Sequence, residues 1–333
     1  MKVALIGSVS SSWHTLRGLI AGGVEVVCVL GLDESHAARV SDYRSLRELA
    51  ESAGIPFRSF DKVAGEGVAG FLRPHAPDLL FAVGLSQLIP KWLLTLAPAG
   101  AVGFHPTPLP KGRGRAPVAW TILLDQPAAA NLFFLTDEPD AGDIIDQRPV
   151  EVRPDDYARD LIDRTNEVLE AMVLDLAPAI RSGRLPRRPQ DHSGATWYRR
   201  RVPEDGLIDW RDSADEIYRL VRACSHPYPG AFTHWGEARL VVWRARPHPA
   251  EDHHGTVGQI LRIGDGPALL VQCGRGLLWL TDLRLDGGRG TDPGPFREGL
   301  RLGWDVRARL EEMQTRLRRL ERRIRGQETE GVT

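Results

Sequence analysis

The chain reads as an α/β protein in its first half, a Rossmann-like, mostly parallel sheet flanked by helices, followed by a small β-domain and a C-terminal helix. Three patterns lead there. Up to residue 183, short β-branched runs alternate with amphipathic stretches, the signature of βαβ units. Beyond residue 230, short apolar runs follow one another with turn residues between them, as in a barrel or sandwich. The last segment places apolar residues at alternating spacings of four and three, a helical seam.

In order, "KVALIG" predicts a first buried strand, and "SVSSSWHTLRGLIAGG" a helix with serines at its start and glycine at its end. "VEVVCVLGL" is a second strand, and "SDYRSLRELAESAG" an amphipathic helix ended by Gly54. "PDLLFAVGL", "GAVGFHP" and "ANLFFLTD" are later strands, and residues 154–183 form a long amphipathic helix. These divide the chain into an α/β domain over 1–185, an arginine- and proline-rich linker over 186–205, a β-domain over 206–303, and a helix with a polar tail over 304–333.

Composition narrows the function classes. With 43 basic and 44 acidic residues the net charge is −1, so no overall field draws the chain to nucleic acid or membrane. Three scattered cysteines, Cys28, Cys224 and Cys273, make neither a disulfide framework nor a cysteine zinc site. No apolar stretch approaches the ~20 residues of a membrane span, and the first apolar run is too short for a signal peptide, so a soluble, cytoplasmic protein is expected. "LIGSVSSS" lacks both glycine-rich phosphate-cradle patterns, which argues against a dinucleotide or P-loop site. His248, His253 and His254 fall in a polar loop read as solvated, so no metal is expected.

The chemistry concentrates in "GFHPTPLPKGRGRAPVAW" and "FFLTDEPDAGDII". His105 follows a strand, where ligands of α/β sheets bind, and can take a proton from a nucleophile. Asp140, in a tight turn, can orient the ring and stabilise its charged form. The pattern HP-x-x-LP-x-x-RG-x-x-P followed by D-x-G-D-I resembles the folate-dependent formyltransferase family, which includes methionyl-tRNA and amino-sugar formyltransferases. "GLIDWRDSADEIYRLVRACSHPYPGAFT" and "ARLVVWRARP" are similar to the opening of that family's C-terminal domain, a small open, OB-like β-barrel. The resemblance implies N10-formyltetrahydrofolate as co-substrate, with His105 and Asp140 catalytic. It further implies a folate site formed by Phe81, Gly84, Gln87, Leu88, Ile89, Asp140, Ala141 and Gly142, where backbone amides read the heteroaromatic edge.

One departure stands out: the family's triad begins with asparagine two residues before the histidine, and this chain has Gly103. Loss of one oxyanion donor costs ~10²–10³ in rate. Gln87 or Ser86, or a water, is expected to substitute; if Gln87 does, Gln87→Ala costs at least about tenfold, and Gly103→Asn is neutral or better. Altered chemistry, or folate binding without transfer, are the other accounts. The acceptor implied by "RGRAP", as in amino-sugar enzymes, is a nucleotide-linked amino sugar, with Tyr43, Thr107, Arg113 and Arg115 as contacts. Arginine suits phosphate, though both arginines can equally brace the loop. The segment after the second strand has no lysine-rich insertion, which disfavours tRNA, while the basic linker keeps it as the alternative. The C-terminal seam of Val306, Leu310, Met313, Leu317, Leu320 and Ile324 predicts a homodimer, with folding back in cis as the other outcome.

Overall fold

The structure, a computed structural model, describes residues 1–333 except 86, 250–251, 267, 287–295, 304–309, 312 and 323–333. It divides into two units, residues 1–206 with 222–230, and residues 207–221 with 231–333. The first unit contains strands β1 (Lys2–Gly7), β2 (Glu25–Leu32), β3 (Phe57–Phe60), β4 (Leu79–Val83), β5 (Ala101–His105), β6 (Arg113–Gly114), β7 (Ala128–Phe134), β8 (Ile144–Val150) and β9 (Trp197–Tyr198). Its helices are α1 (Ser10–Ala21), α2 (Arg47–Ser52), α3 (Glu66–His75), α4 (Lys91–Leu94), α5 (Pro117–Leu123) and α6 (Ala158–Ser182).

Seven strands form one sheet in the order β3-β2-β1-β4-β5-β7-β8. The first five run parallel, while β7 opposes β5 and β8 opposes β7. The chain winds outward from β1 to β3 and returns to β4 on the other side of β1, so a topological switch point lies between β1 and β4. Such points are where α/β sheets bind ligands. One sheet face is covered by α1 and α6, which bury Leu16, Leu19, Leu161, Leu169, Met172, Val173 and Ile180. A Cβ on Gly18 of α1 would lie 3.0 Å from Glu170 O and Val173 of α6, so the missing side chain lets the two helices approach.

Three features differ from the sequence expectation. The helix expected over 41–54 is only α2, because Asp42 takes a left-handed φ of 64°, which no α-helix contains. Strand β3 and helix α3 carry little signal: one is four residues with two adjacent polar side chains, Arg58 and Ser59, at its centre, the other holds Gly67, Gly70 and Pro74. Strand β8, "IIDQRPV", is too polar to read as a strand, and its Pro149 is tolerated because β8 is an edge.

Helix α7 (Ala214–Cys224) starts in the second unit, which also holds β10 (Ala231–Trp235), β11 (Ala238–His248), β12 (Ile260–Ile263), β13 (Leu269–Gln272) and β14 (Leu277–Leu285). These strands form an antiparallel sheet in the order β10-β11-β14-β13-β12. Trp210 donates its indole N–H to Thr233 Oγ1 at 2.9 Å, satisfying both buried groups. Residues 313–322 are helical. Among the described residues, no helix is long and apolar enough to cross a membrane.

Candidate active site

A cleft of about 1080 Å³ opens at the switch point. Its wall includes Val9 after β1, Asp42 after β2, Gly84 after β4, and Gly103 and His105 at the end of β5. His105 is 5 % exposed. Its Nε2 lies 2.8 Å from the Gly112 carbonyl, which can only accept, so Nε2 carries the proton of the neutral ring. Nδ1 therefore keeps the lone pair, and this is the nitrogen facing Asp140 Oδ2 at 3.7 Å. That distance exceeds a hydrogen bond.

Asp140 sits in the turn after β7 with a left-handed φ of 55°. Its Oδ2 accepts the Gly114 amide at 2.8 Å, fixing the carboxylate toward the ring. The turn itself is anchored by Gln190, whose Nε2 donates to the Asp140 and Gly142 carbonyls at 2.9 and 2.7 Å. Gln190 Oε1 in turn accepts from Arg113 at 2.8 Å, and the same guanidinium reaches Glu138 at 3.3 Å. Arg113 is 1 % exposed. It is not among the residues that line the cleft, where a phosphate contact was expected; burial and these contacts make it a brace of the Asp140 turn.

The cleft gathers Gly84, Gln87, Leu88, Ile89, His105, Arg115 and Asp140. It does not gather the other expected residues. Phe81 is interior to β4 and buried in the core; Thr107 is buried and closes its own loop by donating to the Lys111 carbonyl. The Tyr43 hydroxyl donates to the Leu32 carbonyl at 3.0 Å, away from the cleft. Ala141 and Gly142 line a separate recess of about 560 Å³ with Arg187 and His192. Gly84 lacks a side chain for steric reasons: its φ is 64°, and a Cβ would lie 2.3 Å from Val9 Cγ2. A Cβ on Gly142 would meet the Phe134 carbonyl at 1.8 Å.

Both ends of the amide of Gln87, expected as a substitute donor, are anchored by the loop after β3: one Nε2 hydrogen goes to the Asp61 carbonyl and Oε1 accepts from the Val63 amide, both at 2.9 Å. Ser86 lies outside the described residues.

The sequence reading missed the contribution of residues 186–205. They carry β9, which pairs in parallel with β6 and brings Trp197, Tyr198, Arg199 and Arg200 to the cleft. Trp120 stacks on Tyr198 with centroids 6.0 Å apart and donates its indole N–H to the Arg199 carbonyl. The two adjacent aromatics in "ATWYRRR" were the available signal, since a solvated linker has no use for them. Tyr228 also lines the cleft; burial and the nearby Asp42 carboxylate push its phenol pKa well up, so it stays a neutral donor. Asp42 is held by Arg159 at 2.7 Å and by Ser10, whose hydroxyl also accepts from Asn166.

A tautomer-fixed imidazole beside a carboxylate, at the switch point of a mostly parallel sheet, defines a class of α/β enzymes that move a proton during group transfer. Residues 1–176 match the family model described as formyl transferase, and residues 201–301 the one described as formyl transferase, C-terminal domain. The chain belongs to the formyl transferase family. Solved structures share the fold. HypX from Aquifex aeolicus in complex with tetrahydrofolic acid is 21 % identical with a TM-score of 0.60, over 85 % of this chain and 44 % of that one. The chain thus spans less than half the length of HypX. An N-formyltransferase from Helicobacter canadensis, in complex with folinic acid and dTDP-3-aminofucose, is 14 % identical with a TM-score of 0.61, covering 84 % and 98 %. Methionyl-tRNA formyltransferase from Clostridium thermocellum is 20 % identical with a TM-score of 0.54, covering 75 % and 95 %.

Proposed function

We propose that this enzyme transfers the formyl group of N10-formyltetrahydrofolate to the amine of a phosphate-bearing small molecule, a nucleotide-linked amino sugar. The observation that carries the acceptor class is the set of cations at the cleft. Arg115, Arg199 and Arg200 line it, are exposed, and have no ion-pair partner for their guanidinium groups among the described residues. Free guanidinium forks suit a diphosphate. Trp197, 48 % exposed on the same wall, offers a face for a nucleobase. The donor reading is supported by the cleft's size and by Leu88, an apolar side chain 84 % exposed at its wall, where a flat ring system would cover it.

The donor supplies the formyl carbon. His105 Nδ1 takes the proton of the attacking amine, and the resulting imidazolium faces Asp140. The same proton returns to the folate N10 as its bond to the formyl carbon breaks. Asp140 Oδ1, with no hydrogen bond among the described residues, is placed to accept from the incoming amine.

The test is incubation with N10-formyltetrahydrofolate and a panel of UDP- and dTDP-linked amino sugars, read by mass spectrometry for a formyl gain. Arg199→Ala and Arg200→Ala are each expected to raise the acceptor KM about tenfold with kcat little changed, the pattern of a lost ground-state contact. Formylation of methionyl-tRNA instead, with binding that falls steeply with salt, assigns the same arginines to a phosphate backbone. For assembly we propose a homodimer through the C-terminal seam, where Leu310, Met313, Leu317 and Leu320 are exposed; Val306 and Ile324 lie outside the described residues. Truncation after Gly303 is expected to shift light scattering to the monomer mass, and a truncated dimer would discard the seam.

A further inference from the structure

Residues 103 and 105 are two apart on β5, so side chains at both positions would point to the same face, side by side in the cleft wall. At 103 that space is taken by another residue. A Cβ built on Gly103 would lie 2.6 Å from Leu135 Cδ2, 3.1 Å from Leu135 Cγ and 3.2 Å from Phe133 Cζ. Gly103 has no left-handed φ, so space and not backbone conformation accounts for the glycine. Leu135 is held there by its own amide, which donates to the Ala101 carbonyl at 2.7 Å, and it lines the cleft beside His105. His105 thus has a fixed carboxylate on one flank and hydrocarbon on the other.

We propose that Leu135 is a positioning residue that keeps water away from the formyl carbon, filling the seat that Gly103 leaves beside the catalytic base. The chemistry makes the need plain. A base that deprotonates an amine deprotonates water as well. In that side reaction the water oxygen bonds to the formyl carbon and His105 Nδ1 takes its proton. The bond from that carbon to N10 breaks, His105 passes the proton to N10, and tetrahydrofolate leaves with formic acid, which gives its remaining proton to solvent as formate. A water site needs about 10–15 Å³ and two to four polar partners. Leucine methyls offer neither, whereas a cavity opened next to His105 offers the room and a first partner. The inference rests on formyl transfer at His105 and not on the identity of the acceptor.

The test therefore omits any acceptor. N10-formyltetrahydrofolate is incubated with the full chain, and formate and tetrahydrofolate release are followed. Leu135→Ala is expected to raise acceptor-free release at least about tenfold over wild type. His105→Ala combined with Leu135→Ala is expected to return it to background, and Leu135→Met, which refills the volume with a flexible thioether, to stay at the wild-type level. A purely packing role would lower transfer without raising release. Leu135→Val reads the same direction with a smaller effect where the alanine variant folds poorly. A second arm uses the seat itself. Gly103→Asn alone collides with Leu135 and is expected to lose activity, contrary to the neutral outcome anticipated from sequence, and the added Leu135→Ala is expected to restore it. Unchanged release in Leu135→Ala with donor binding retained, equal release in the Ala and Met variants, or full activity of Gly103→Asn alone would each overturn the proposal. A failure to formylate nucleotide sugars leaves the acceptor-free release arm untouched.

Discussion

The two flanks of His105 are built by opposite means. On the Asp140 side, a chain of hydrogen bonds runs from Arg113 through Gln190 to the carbonyls of the turn, and a backbone amide fixes the carboxylate. On the Gly103 side, side-chain volume is moved from one strand to the next, so that Leu135 fills what residue 103 does not. The polar flank sets where charge develops. The apolar flank sets what can enter. A missing donor in a motif is thus a question about the neighbouring strand as much as about the motif.

Variants on the polar flank carry the largest expected effects. His105→Ala removes the base and is expected to lower kcat by about 10³, within the range for a positioned acid–base group, with the thermal midpoint retained. Asp140→Asn keeps the turn's shape but loses the charge facing the imidazolium; a fall of about 10² in kcat with little change in donor KM is the outcome to check by steady-state kinetics. Arg113→Ala acts at one remove, by releasing Gln190 and the turn, and about a tenfold loss of kcat is expected. Arg113→Lys is not expected to rescue it, because an ammonium cannot hold Gln190 and Glu138 in fork geometry.

A control remote from both flanks sharpens the comparison. Burial works to raise the Asp156 pKa, but the charged hydrogen bonds of Arg164, at 2.6 and 3.0 Å, outweigh it and hold the carboxyl below its usual value. A carboxyl depressed in the folded state stabilises it above the unfolded pKa, ~3.9, and that stability is lost as pH falls through the folded value. Asp156→Asn is expected to cost about 2 kcal/mol at pH 7, less than a fully buried pair because Arg164 is partly open, and this loss is expected to shrink as the pH falls below ~3.9 and through the folded value. Urea titration across that range checks it, with kcat unchanged.

The sheet and the approach of Asp140 to His105 were legible in the sequence for a physical reason. Buried parallel strands need β-branched runs, and "GFHPTPLPKGRGRAP" packs restricted backbone around a single histidine. What was not legible depends on partners distant in the chain. Gln87 looked free to serve the site until the loop at Asp61–Val63 claimed both ends of its amide. Arg113 and Arg115 are chemically alike in sequence, and only the position of Gln190 makes one a brace and leaves the other at the cleft. Trp197 to Arg200 read as linker because two residues of β9 are too few to show a period.

The most direct measurement compares wild type, Gln87→Ala and His105→Ala in one assay of tetrahydrofolate release from N10-formyltetrahydrofolate with the best amino-sugar acceptor. The account predicts turnover in wild type, a Gln87→Ala rate within about twofold of it, and a His105→Ala rate lower by about 10³. A His105→Ala enzyme that keeps more than about a tenth of the wild-type rate, or a Gln87→Ala enzyme that loses it, would contradict the assignment of proton transfer to His105 on its braced flank.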